Sequence, residues 1–226
     1  MAFKLYHFEN TQECNLALAK AIVSSLNKFL VFQDRVNLAF SGGKSPINFL
    51  ELLNQEDCAW QRCNISLVDE RIVDLNDENS NAKLITTHFL KNLAQKSHFQ
   101  AYFKNVNLPL DELVNEANIY YKQPDIAVLG MGLDGHTASL FYDAKEFNSS
   151  LTTQQNIVLI EPKNAPYKRL SMSLSALEKC KELFLLITTE EKLKVFNEAL
   201  KGIDSKLPIS YILHSQKVVC NVYFCE

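Results

Sequence analysis

No stretch of this chain approaches the roughly 20 consecutive apolar residues of a membrane span. The opening Met1-Ala-Phe-Lys-Leu-Tyr-His-Phe8 lacks the apolar centre of a signal peptide. Six cysteines stand at 14, 58, 63, 180, 220 and 225, but their closest spacings are Cys58-x4-Cys63 and Cys220-x4-Cys225. Neither is the CxxC of a zinc or redox site, and no histidine lies beside them at ligand spacing. Reduced thiols and a cytoplasmic location are therefore expected. Excess charge is also missing. The net charge is −3 and the pI about 6.0, so no global basic field invites nucleic acid or an anionic membrane. An anionic small molecule would have to be met by a local cluster of Lys and Arg. The chain has no Walker A spacing, no Gly-x-Ser-x-Gly elbow and no basic helix-turn-helix. It also lacks internal repeats and low-complexity linkers, and residues 1–226 read as one domain.

What is present is ordinary for a globular chain, with 47% hydrophobic and 22% charged residues. Strand patterns at 3–8, 36–40, 64–68, 99–103, 126–129, 156–160, 183–187 and 218–224 alternate with helical ones at 11–31, 46–54, 79–93, 110–121, 175–181 and 190–201. Residues 209–213 read as a short helical or irregular piece after Pro208, and 142–154 as a polar loop. Arg169-Leu-Ser-Met-Ser-Leu174 alternates strictly, with Arg169, Ser171 and Ser173 on one face. Strands alternating with helices predict an α/β fold with a mostly parallel sheet.

The most informative stretch is Asp125-Ile-Ala-Val-Leu-Gly-Met-Gly-Leu-Asp-Gly-His-Thr-Ala-Ser-Leu-Phe141. Ile126–Leu129 reads as a strand buried on both faces. Glycines at 130, 132 and 135 then bend the chain around Asp134 and His136. Residues 137–141 read as the first turn of a helix, with Thr137 or its neighbour as cap. Free N–H groups and a titratable pair are thus expected at the carboxyl end of a sheet, where open α/β folds bind ligands. Val36–Phe40 runs likewise into Ser41-Gly-Gly-Lys-Ser-Pro46, with Ser45 as expected cap and Pro46 as first residue of the next helix. Asp69-Glu70-Arg71 after another strand is either a solvated loop or a functional carboxylate–guanidinium pair.

The string Gly130-Met-Gly-Leu-Asp-Gly-His-Thr-Ala-Ser-Leu-Phe141 closely resembles the signature of the 6-phosphogluconolactonases. That family belongs to a superfamily with the glucosamine-6-phosphate isomerase/deaminases. Four more segments resemble it in the same order. They are Ser41-Gly-Gly-Lys-Ser-Pro46, Asp69-Glu-Arg71 with Ser80-Asn81, Pro162-Lys163 through Arg169–Leu174, and Thr188-Thr-Glu-Glu-Lys192. Lys44 stands where a small hydroxyl residue is usual, Asp74 and Tyr142 where prolines are, and Thr189 where glycine is.

The resemblance implies a Rossmann-like three-layer α/β/α sandwich. It implies hydrolysis of 6-phospho-D-glucono-1,5-lactone to 6-phospho-D-gluconate, without metal or organic cofactor. The partner implied is this small phosphosugar lactone, with the protein a monomer or small homo-oligomer. Family matching assigns the phosphate to the backbone N–H groups of Gly42 and Gly43 together with Arg169 and Lys192. Ser41 and Lys44 of the same loop are expected to bind substrate, with Lys44 either adding positive charge or pointing into solvent, and Asp69 and Arg71 are expected to line the sugar end. Physically, glycine N–H groups and a guanidinium suit phosphate oxygens. Arg71 either reaches the ligand or holds Glu70. A lactone is an activated ester, so one base and modest oxyanion help suffice. His136 is the natural base, because an ordinary imidazole titrates near working pH. Asp134 orients that imidazole or binds a sugar hydroxyl.

Two rival readings stand beside this one. A glucosamine-6-phosphate isomerase/deaminase would continue after the histidine into Ala-Phe-Asn-Glu-Pro, whereas here no carboxylate follows until Asp143. A non-catalytic phosphosugar sensor would carry a DNA-binding segment.

Overall fold

The computed structural model describes residues 3–225. In chain order the elements are β1 (Phe3–Phe8), α1 (Thr11–Leu30), β2 (Val36–Phe40), α2 (Ile47–Leu53), β3 (Cys63–Leu67), β4 (Asp69–Arg71) and α3 (Asn81–His88). They continue with β5 (His98–Phe99), α4 (Leu110–Ile119), β6 (Ile126–Leu129), α5 (Phe147–Thr152), β7 (Ile157–Ile160) and β8 (Arg169–Met172). The last are α6 (Leu174–Glu178), β9 (Glu182–Ile187), α7 (Glu190–Ala199), α8 (Ile209–Leu213) and β10 (Val219–Cys225).

Seven strands form a wholly parallel sheet in the order β1-β10-β9-β6-β2-β3-β5. Helices flank it, as the α/β expectation requires. Parallel strands under helices are covered on both faces, which is why β6 and most of β9 are unbroken apolar runs. Helix α1 shows how a flanking helix is held. Its N-terminus is capped by Asn10, whose side chain accepts from Glu13 N–H, and Leu18, Ala19, Ile22 and Leu26 are fully buried. Each such leucine or isoleucine contributes about 1.5–3 kcal/mol of burial.

The strand order creates the site. From β2 the chain proceeds to β3 and β5 on one side, whereas from β6 it proceeds to β9 and β10 on the other. The loops after β2 and β6 therefore diverge and open a crevice at the carboxyl ends of adjacent strands. A second, three-stranded antiparallel sheet, β4-β8-β7, stands beside that crevice.

Several sequence expectations need correction. Residues 137–141 are not a helical turn. Thr137 and Leu140 form an isolated bridge, Ala138 has φ +50°, and the next helix is α5. That helix lies inside the expected 142–154 loop. Ser45 is not a cap, since Pro46 occupies the cap position of α2 with no side-chain hydrogen bond. Asp69–Arg71 is a strand rather than a loop, because it pairs with β8. The helix expected over 79–93 stops at His88, with a separate 3-10 turn at Asn92–Lys96. The strand expected at 99–103 shrinks to β5. All of β8 is buried, including its polar face, because β4 and β7 flank it.

Candidate active site

The crevice encloses about 230 Å³. Ser41, Gly42, Gly43 and Lys44 line it from the β2 loop and His136 from the β6 loop. Asp69 and Arg71 of β4, Arg169 of β8 and Lys192 of α7 complete the predicted residues on its walls. Asp134 is the one predicted residue not on the wall.

Asp134 is instead bound to the imidazole. Its Oδ1 lies 2.6 Å from His136 Nδ1 and accepts from the His136 backbone N–H at 3.3 Å. Burial works against the Asp134 charge, but the bond and charge of His136 outweigh it and hold the carboxyl below its usual range. The loop is bonded to itself. Gly132 N–H donates to His136 O at 2.9 Å, Gly135 N–H to Gly132 O at 3.0 Å, and Thr137 Oγ1 to Gly130 O at 2.9 Å. Gly132 is required here, because a Cβ would sit 2.3 Å from the His136 ring and 2.4 Å from Asp134 Oδ1. With 137–141 not helical, no helix N-terminus stands behind His136.

The opposite side of the crevice is cationic and underbonded. Arg169 is 6% exposed, and its Nη2 donates to Pro166 O at 3.2 Å. Its buried Nε has no partner among the described residues, and neither has the buried Ser41 hydroxyl. Burial lowers the Arg169 guanidinium below its usual range and lowers the Lys192 ammonium too. Among the described residues, no hydrogen bond occupies the N–H of Gly42, Gly43 or Lys44. Ser45 has a different task from the expected cap. Its hydroxyl accepts from Thr188 Oγ1 and from Lys192 Nζ, both at 3.3 Å, and so ties the loop to the start of α7. Thr189 caps α7 in extended backbone at φ −149°, so threonine is unstrained where glycine is usual.

The third wall is a polar network. Glu70 is fully buried and accepts from the N–H groups of Arg71, Asn81 and Ala82 and from Ser80 Oγ. Burial pushes its carboxyl up to about 7 against those four bonds. Arg71 therefore does not hold Glu70 with its guanidinium. Its Nη1 donates to Asn79 O at 2.7 Å and to Asn81 Oδ1 at 3.2 Å. Asp69 accepts from Ser139 Oγ at 2.5 Å, and its carbonyl accepts from Asn81 Nδ2 at 2.8 Å. Sequence reasoning assigned Asn81, Ser139 and Phe141 no place in the site, although Asn81 lines the crevice. Phe141 lies under it, stacked on His136 with ring centroids 4.1 Å apart and touched by the Arg169 guanidinium at 4.8 Å. Asn81 and Ser139 each sit within a recognised motif, which was the available signal.

Known proteins point the same way. Residues 9–220 match the family model described as glucosamine-6-phosphate isomerases/6-phosphogluconolactonase. The 6-phosphogluconolactonase of Helicobacter pylori (strain J99) is 45% identical over the full length of both chains. That of Neisseria meningitidis is 37% identical, over 99% of this chain and 100% of its own. The crystal structure of a 6-phosphogluconolactonase from Shewanella baltica OS155 superposes with TM-score 0.92 at 30% identity, covering 100% of this chain and 98% of the other. Full-length similarity of this order, together with the fold, establishes that the chain belongs to the 6-phosphogluconolactonase family.

Proposed function

We propose that this chain hydrolyses 6-phospho-D-glucono-1,5-lactone to 6-phospho-D-gluconate, a step of the pentose phosphate pathway, with His136 as general base. The full-length relatives that carry the name of that activity support the substrate. One observation carries the chemistry: an imidazole tethered to a carboxylate shares a crevice with buried donors of Arg169 and Ser41 that have no partner among the described residues.

With Nδ1–H donated to Asp134, the His136 Nε2 is left as a proton acceptor. A water between Nε2 and the lactone carbonyl gives up its proton to the imidazole while its oxygen attacks C1. The ring C–O bond then breaks, and the imidazolium returns the proton to the departing ring oxygen. Asp134 fixes the ring tautomer and stabilises the imidazolium. Arg169 and Lys192, with the N–H groups of Gly42, Gly43 and Lys44, bind the phosphate. Asp69 and Arg71 meet the sugar end.

The test is lactone hydrolysis followed directly, with spontaneous hydrolysis subtracted. The phosphorylated lactone should be preferred over gluconolactone by roughly 10-fold or more in kcat/KM, the scale of losing charge-assisted hydrogen bonds. Equal turnover of the two would remove the phosphate assignment. Conversion of glucosamine 6-phosphate instead would favour the isomerase/deaminase branch of the family.

A further inference from the structure

We propose that Phe141 is a positioning residue that holds the two halves of this site in register: its ring sets the plane of the His136 imidazole and seats the Arg169 guanidinium. The proposal rests on the reading of His136 as base and Arg169 as phosphate ligand. Phe141 reaches both because its segment is not helical. Ala138 at φ +50° and the bonds Leu140 N–H to Thr137 O and Phe141 N–H to Ser139 O turn the chain back beneath His136. The rings stack at 4.1 Å with 24° between their planes, and Arg169 Cζ lies 4.8 Å from the same ring.

Neither partner has many other restraints. Besides its covalent link, the His136 ring is held by Asp134 at Nδ1 and lies close against Gly132, neither of which covers the face that Phe141 stacks on. The Arg169 guanidinium has the Pro166 carbonyl, while its Nε finds no partner among the described residues. An aromatic face restrains both without consuming a donor: it stacks on a flat imidazole and attracts a guanidinium through its quadrupole. Phe141 also stands apart from the main core. With Ala144 and Ile160 it forms a small separate cluster, packed by Val158 and Ala165. A change there perturbs the site more than the sheet.

The experiment compares Phe141→Leu, which keeps apolar bulk without a ring, with Phe141→Tyr, which keeps the ring. Leucine should lower kcat about 10-fold through misaligned proton transfer and raise KM by roughly 3- to 10-fold through loss of the cation–π seat. Tyrosine should restore both to within about 2-fold of the parent, and all variants should unfold cooperatively. In a His136→Ala background, Phe141→Leu should still raise KM but leave kcat unchanged, because no base remains to misalign. The His136 ring-proton resonance, identified by its loss in His136→Ala, should lie upfield in the parent and move downfield in Phe141→Leu. Parental kcat and KM in Phe141→Leu, or a kcat loss equally large in both backgrounds, would overturn the proposal. Should leucine prevent folding, the resonance in the parent decides: no ring-current shift means no stack. Parental kcat in His136→Ala would instead refute the base assignment and leave the stack standing on the resonance.

Discussion

The two glycine loops at the heart of this molecule hold five of its six glycines, at 42, 43, 130, 132 and 135, yet they are built on opposite plans. The loop after β6 is closed on itself, with Gly132, Gly135, Thr137 and the Asp134–His136 pair all internally bonded. It is anchored from outside as well, since Ile209 N–H donates to Gly135 O at 2.9 Å. Among the described residues, the loop after β2 has N–H groups and a buried hydroxyl without partners, and Ser45 ties it to α7. Chemistry needs a base fixed before the substrate arrives, whereas an anion site needs donors left unspent until it does. Adjacent strands of one sheet supply both.

Substitutions at the two loops should therefore fail differently. The largest effect is expected at the closed loop. His136→Ala should lower kcat by roughly 10²–10⁴-fold, the scale for losing a general base, while product affinity by calorimetry stays near parental. His136→Asn tests whether a hydrogen bond alone suffices. Near-parental kcat in that variant would remove His136 as base and make Asp69 or Asp134 the next candidate.

Gly132→Ala should act next most strongly, because its Cβ would strike the imidazole and Asp134 Oδ1. A displaced base costs about 10²-fold in kcat, and KM should change little. A rise in KM alone would mean that the two loops are not separable.

On the open side, Arg169→Ala should weaken product binding by about 1.5–3 kcal/mol, the worth of a charge-assisted contact. An unchanged dissociation constant would move the phosphate elsewhere. The smallest effect is expected at Gly43, which has φ +92° and no atom within 4 Å of a built Cβ. Alanine there meets backbone strain and no clash, about 1–2 kcal/mol, and should raise KM with kcat preserved. Comparing Ala at 132 with Ala at 43 is the sharpest form of the contrast, since the same added methyl should strike kcat in one loop and KM in the other.

Much of this was legible in the sequence, for reasons that particular residues make plain. The unbroken Ile126–Leu129 run reads as a strand covered on both faces, and nine of the ten predicted site residues line one crevice, five of them on the loops after β2 and β6. Residues 137–141 were not legible, because their fate is decided by tertiary bonds. Thr-Ala-Ser-Leu-Phe suits a first helical turn, but Ser139 donates to Asp69 Oδ2 at 2.5 Å, 70 positions away in sequence. Ser45 likewise gives up capping for Lys192. Strand β4 has three residues and three charges, so no periodicity announces it, and only its pairing with β8 makes it a strand. Phe141 closes the recognised string, but an aromatic residue carries no sign of what will stack on it.

The pairing of β1 with β10 bears on how the molecule is made. Strand β1 pairs in parallel with β10, Phe3 opposite Cys220. A chain emerging from the ribosome thus exposes its first strand long before its partner exists. Strand β4 meets a shorter version of the same delay, since Asp69 waits for Ser171. Contacts between such distant residues slow folding, and unpaired edges invite wrong partners meanwhile. The half-site built on β4 and β8 can assemble while β9 and β10 are still being synthesised, but the outer rim of the large sheet is sealed last.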